Sequence, residues 1–171
     1  EPLRLCDRFE QEFSAQVGAR YGVAVGSGTG ALYVALTALG LGPGQEALIP
    51  AYLWVSVAAA VIHRGAIPVL CEVDDSYCLE PADVRRKLTA RTRVIIHVHM
   101  SGATGNLIEV RAIARQHGIA LVEDCAQAVG GAYKGRPLGG FGVGETCSSH
   151  HPKAPTTAGA GRGATPPPPR P

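Results

Sequence analysis

The chain has 171 residues, 46% of them hydrophobic and 18% charged. That content supports one domain with a buried core, excludes wholesale disorder, and leaves too little chain for two ordinary domains. The net charge of +2 is too small for a nucleic-acid-binding surface to be expected.

The predicted elements alternate along the chain. RFEQEFSAQVG places Phe9 and Phe13 four residues apart, the spacing of one helix face. YGVAVGS is a short apolar strand running into Gly and Ser. TGALYVALTALG is a helix closed by Gly40 and the following GPG turn. ALIPAY is a buried strand, WVSVAAAVIHRG a helix ended by Gly65, and IPVLCEVD a strand stopped by paired acids. EPADVRRKL opens a helix with Pro81 in its first turn. RVIIHVHM is a strand, NLIEVRAIARQHG a helix and IALVEDCA a further strand. Strands apolar on both faces, separated by helices, predict a three-layer α/β/α fold around a mostly parallel sheet. Ligands in such sheets collect outside the carboxyl ends of the strands. Five segments are expected there: GSGTG, Pro50 to Trp54, Asp74–Asp75, His97 to Ser101, and Glu123–Asp124.

Composition changes near residue 142. All fourteen acids lie at or before Glu145, no Phe, Tyr or Trp follows Phe141, and seven of the thirteen prolines fall within 150–171. Such a Pro/Gly-rich segment is expected to lie outside the packed core, extended or disordered. The opening EPLRLCDRFEQEF has charges throughout and no apolar stretch, so no secretory signal is expected there. No uninterrupted apolar run reaches the roughly 18 residues of a membrane-spanning helix. The cysteines are odd in number, five, and no CxxC occurs. Reduced thiols and a cytoplasmic setting are expected, with Cys71 and Cys125 as small core residues.

Four groups of residues are candidates for chemistry. Gly26, Gly28 and Ala31 fit G-x-G-x-x-A between a strand and a helix, the dinucleotide fingerprint. A dinucleotide site also needs an acid at the end of the second strand, and the acid of that strand, Glu46, stands at its start. The turn therefore suits one anion, held by the amides of Gly28 and Thr29 and the hydroxyls of Ser27 and Thr29. It equally suits a plain helix cap. Asp124 ends an apolar strand, where a buried carboxylate requires a cationic partner: a protonated ring nitrogen or an internal salt bridge. Trp54, the single tryptophan, lies just past a strand end, as a stacking platform or an ordinary aromatic. His97 and His99 share one strand face. No third ligand follows at recognised spacing, so a satisfied pair is expected and no metal. The same holds for His150–His151.

Taken together, Ser27-Gly28-Thr29, the Pro50–Trp54 segment, TARTRVIIHVHMSG, HGIALVEDCAQAVGGAYKGRPLG and the later Lys153 resemble the DegT/DnrJ/EryC1/StrS aminotransferases. These are the sugar-aminotransferase branch of the fold-type I pyridoxal-phosphate enzymes. The resemblance covers roughly residues 8–142. It implies a partial large domain at 1–142, a divergent tail at 143–171, and a small domain absent from this chain. It assigns the cofactor phosphate to Ser27, Gly28 and Thr29, ring stacking to Trp54, the ring nitrogen to Asp124, and the neighbourhood of the ring hydroxyl to Gln127. The family's E-D-x-A-Q motif matches Glu123, Asp124, Ala126 and Gln127. Counting from Phe141 without a gap puts Ser148 on the family's phosphate-binding serine and Lys153 on the lysine that carries the cofactor covalently. The chain departs from the family at Leu53 (Thr), Val143 (Asp), Cys147 and Ser149 (both aromatic), and in TTAGAG for T-T-G-E-G-G.

The resemblance implies amino transfer from glutamate or glutamine to a keto-sugar or keto-cyclitol, in a cytoplasmic homodimer that acts on small molecules. Asp124 and Lys153 would be the catalytic pair, with Lys153 also shuttling a proton. Two other readings stand beside it: a catalytically inactive truncated homologue, and a nicotinamide-dependent oxidoreductase built on Gly26, Gly28 and Ala31. A frameshifted or truncated reading frame would produce the compositional change near residue 142. Sequencing the downstream gene should then find an intact out-of-frame continuation.

Overall fold

The computed structural model describes residues 2–148 and 161–165, with backbone alone at 2–3 and 161–165. Helix α1 (Pro2–Val17) leads into β1 (Tyr21–Val25), then α2 (Gly28–Ala38), β2 (Glu46–Pro50), α3 (Ser56–His63) and β3 (Ile67–Cys71). Helix α4 (Pro81–Lys87), β4 (Thr92–Val98), α5 (Leu107–Gln116) and β5 (Ala120–Asp124) follow. A short hairpin, β6 (Ala132–Tyr133) and β7 (Arg136–Pro137), precedes β8 (Gly144–Ser148) and β9 (Gly161–Thr165). Among the described residues, seven strands form one sheet in the order β1-β9-β8-β5-β4-β2-β3. Strands β3, β2, β4, β5 and β8 pair in parallel. Strand β9 runs against both β8 and β1, so β1 points the same way as the parallel five.

Alternation along the strands sorts the core into two layers. Leu48, Ile95 and Leu121 face α1, α4 and α5, packing with Phe13, Val84, Val110 and Ile113. Ala47, Ile49, Val94, Ile96 and Val122 face α2 and α3, packing with Leu32, Leu36, Val57 and Val61. The three-layer mostly parallel fold expected from the sequence is therefore present.

The sheet's edges are covered by side chains from the helices. The Glu10 carboxylate accepts from the Ala24 amide of β1 at 2.7 Å. At the other edge, Lys87 donates to the Leu70 carbonyl at 2.6 Å, and Asp83 accepts from the Glu72 amide at 2.7 Å. Both contacts leave less open backbone for another chain to pair with. Asp83 itself is buried beside Lys87 and Arg86. Burial alone would raise its carboxyl, but the Glu72 amide and Lys87 outweigh that and hold it below the ordinary value.

Two features differ from the sequence-based expectation. The folded layer does not end at residue 142, because Gly144–Ser148 and Gly161–Thr165 are strands of the main sheet. Neither is an apolar run; both take their place from pairing with neighbours. Trp54 and Val55 precede α3 rather than open it. Among the described residues no helix is long and apolar enough to cross a membrane.

Ile95 is fully buried at the centre of the sheet. Replacing it with Ala should lower stability by about 2–5 kcal/mol, measured as a lower urea midpoint with an unchanged slope.

Candidate cofactor site

The turn after β1 is built as a helix start. Ser27 is extended (φ −164°, ψ 162°) and caps α2 by accepting from the Gly30 amide at 3.0 Å. Its carbonyl takes the Ala31 amide. The amides of Gly28 and Thr29 have no acceptor among the described residues, as first-turn geometry requires, and carry the positive end of the helix dipole.

Ser148 stands directly against this turn. A Cβ placed on Gly28 would lie 3.0 Å from the Ser148 Cβ and 3.3 Å from its Oγ. The missing side chain at residue 28 thus lets the two segments close on each other. Pairing explains the approach: Val25 and Ser148 both align with Gly161, so the ends of β1 and β8 reach the same level of the sheet.

Asp124 ends β5 and is aligned with Thr146 of β8. Both point to the α2–α3 side, as Ser148 does by alternation. Asp124 is buried, and its Oδ1 accepts from the Ala126 amide at 2.9 Å. Thr146 was not singled out from the sequence. It is buried, and its Oγ1 has no hydrogen-bond partner among the described residues. Gln127 is exposed and accepts from the Ser101 amide at 2.8 Å, which leaves its NH2 as the outward donor. Ser101 reaches it through a left-handed backbone (φ 52°). Trp54 is 65% exposed in the turn between β2 and α3, with its ring open to solvent. Leu53, which replaces a family threonine, packs against the α2–α3 core. Lys153 lies outside the described residues, as do Ser149, His150 and His151.

Glu46 stays at the amino end of β2, hydrogen-bonded to Thr89 and Arg91. Thr89 holds its carboxyl below the ordinary value against the opposing effect of burial. It is at the wrong end of the sheet to bind a ribose.

The opposite face of the same strand ends carries a buried polar network. Glu123 accepts from the amides of Gly139 (3.0 Å), Phe141 (2.6 Å) and Gly142 (2.7 Å), and from His99 Nε2 at 3.0 Å. His99 Nδ1 meets the Ala103 carbonyl at 3.1 Å. Both ring nitrogens thus face acceptors. Burial alone would push Glu123 up; the His99 bond and charge, with the Gly139 and Gly142 amides, hold it below its ordinary value. His97 Nε2 donates to the Thr104 carbonyl at 3.1 Å, which leaves Nδ1 unprotonated. Burial, and then the neighbouring His99 charge, push His97 down to about 4. His99 has both ring nitrogens satisfied, as expected, whereas His97 keeps a buried Nδ1 with no hydrogen-bond partner among the described residues.

The mostly parallel sheet with helices on both faces is the fold the chain shares with solved aminotransferases. The chain belongs to the DegT/DnrJ/EryC1/StrS aminotransferase family, whose model matches residues 4–166. It is 41% identical over 155 residues to the L-glutamine:2-deoxy-scyllo-inosose aminotransferase of Streptomyces paromomycinus, covering 90% of this chain and 37% of that protein. It superposes on an aminotransferase from Psychrobacter cryohalolentis with TM-score 0.90 and 36% identity, over 94% of this chain and 41% of that one. NtdA from Bacillus subtilis with bound cofactor PMP matches at TM-score 0.88 and 30% identity, over 94% and 36%. The chain therefore spans about 40% of the length of these relatives.

His97 makes stability depend on pH. Its folded value lies below its ordinary 6.5, so the unfolded chain binds the extra proton first on acidification. Stability should be full above about 6.5 and fall towards pH 4, by at most about 3 kcal/mol. Glu123 adds a loss below its ordinary 4.5. Urea titrations across this range should show the first loss in the native chain and not in His97→Gln.

Proposed function

We propose that this chain contributes the cofactor-binding half of a pyridoxal-phosphate-dependent aminotransferase. In this reading the enzyme moves the amino group of glutamine or glutamate onto a keto-cyclitol or keto-sugar. The observation that carries the reading is the closure of Ser148 onto Gly28 at the start of α2, on the sheet face where Asp124 is buried. A second sign of fit is the Thr146 hydroxyl, buried beside Asp124 with no partner among the described residues. The keto-cyclitol is favoured by the name of the Streptomyces paromomycinus relative.

The residues divide the work. The amides of Gly28 and Thr29, with the Ser27, Thr29 and Ser148 hydroxyls, hold the phosphate in a cradle of positive dipole. Asp124, kept from water by burial, would hold a proton on the pyridine nitrogen through a charge-assisted bond. The NH2 of Gln127 would donate to the ring oxygen, and Trp54 would stack on the ring. When bound, the cofactor supplies the electron sink that makes the substrate's C–H bond acidic. Lys153 would hold the cofactor, and its free amine would carry the proton to and from the substrate carbon. The complete enzyme is a cytoplasmic homodimer in this reading. An inactive relative is the competing reading, favoured by Val143 and Leu53 at two family polar positions.

The test is an absorbance titration of the purified chain with pyridoxal phosphate, then borohydride reduction and peptide mapping. A visible band that borohydride fixes on Lys153, absent in Lys153→Ala and weakened in Asp124→Asn, is expected. Where a chain of full family length is assayed, Lys153→Ala should lower amino transfer by about 10²-fold or more. Label scattered over surface lysines would support the inactive relative instead.

A further inference from the structure

The sheet face opposite the proposed cofactor site carries an unusual block of side chains. His97, Glu123 and Glu145 lie side by side on β4, β5 and β8, in register. One step further along β5 and β8 come Cys125 and Cys147. The Cys125 amide bonds the Thr146 carbonyl at 2.7 Å, continuing the ladder that puts the two thiols next to each other. Cys125, Glu145 and Cys147 are all buried, and their ligand atoms lie within 4.8 Å of one another. All three point the same way by alternation.

The neighbours of this trio are already committed. Glu123 accepts four hydrogen bonds, and both nitrogens of His99 are used. Glu145 faces Glu123 across the ladder. Space for the Glu145 carboxylate comes from Gly139: a Cβ there would overlap its Oε2, and the backbone is left-handed (φ +89°). The Cys125 thiol is pushed well up by its hydrogen bond to Cys147 and by burial.

We propose that Cys125, Glu145 and Cys147 form a binding site for a thiophilic divalent cation of the zinc class. Two thiolates and one carboxylate are a donor set such ions accept, with a fourth position left for water or a neighbouring oxygen. Binding would release the thiol protons. The site would tie β5 to β8 directly behind Asp124 and Thr146. It involves none of the residues assigned to the cofactor, so it stands whether or not the chain binds one.

Cadmium is the probe. The full chain, reduced and stripped of metal, is titrated with Cd2+ and its ultraviolet thiolate-to-metal band recorded. A band that saturates at one ion per chain and raises the unfolding temperature is expected. It should persist when Cys6, Cys71 and Cys78 are all replaced by Ser, and vanish in Cys125→Ser and in Cys147→Ser. Glu145→Gln, which keeps both thiols, should weaken binding by about tenfold or more. The proposal is overturned if no stoichiometric band forms or if Glu145→Gln binds as tightly. It is equally overturned by a band that survives loss of both thiols, or by one as strong in urea as in the folded chain.

Discussion

The Glu123 carboxylate is the contact on which the rest of the structure depends. Its two oxygens collect three amides from the Gly139–Gly142 segment and one ring nitrogen from the segment after β4. A buried charge is tolerable only when it is answered in this way. The result is that β5, the end of β4 and the approach to β8 are fixed to one another at a single level. Asp124 follows Glu123 directly and points to the other face, so its height in the sheet is set by that network, to which its own carbonyl adds a bond from the His99 amide. The alternation of a strand lets one residue serve the scaffold and the next serve the site.

Close packing reinforces the same point. Gly142 enters β8 so tightly that a Cβ there would meet the Leu121 carbonyl at 2.2 Å. Its neighbour Val143 bonds that carbonyl at 2.8 Å. The path of the chain into β8 is therefore dictated by β5. That path in turn delivers Thr146 beside Asp124 and Ser148 against Gly28. A candidate site drawn from widely separated parts of the sequence is thus positioned by backbone geometry.

Much of this was legible in the sequence. Strands such as RVIIHVHM and IALVEDCA are apolar on both faces, and the turn at Ser27–Thr29 is marked by its own residue types. The capping role of Ser27, the burial of Asp124 and the satisfied ring of His99 follow from local chemistry. What could not be read was pairing. GETCS and GRGAT have no hydrophobic run, so β8 and β9 declare themselves only through neighbours. The alignment of Glu123 with Glu145, and of Cys125 with Cys147, depends on the register between strands separated by the β6–β7 hairpin. Thr146 matters only because that register places it beside Asp124. The exposure of Trp54 depends on a turn that precedes α3 instead of opening it.

The antiparallel strand β9 has a consequence for how the chain reaches its final form. It sits between β8 and β1, so the earliest strand in the sequence joins the sheet through the latest. Tyr21 and Thr165 are partners across nearly the whole described chain. Closing so long a loop is entropically costly and slow. During synthesis, β2 to β5 can assemble while β1 and its anion-ready turn wait. The turn at Gly28, early in the sequence, therefore takes its final place only after β9 has paired with β1.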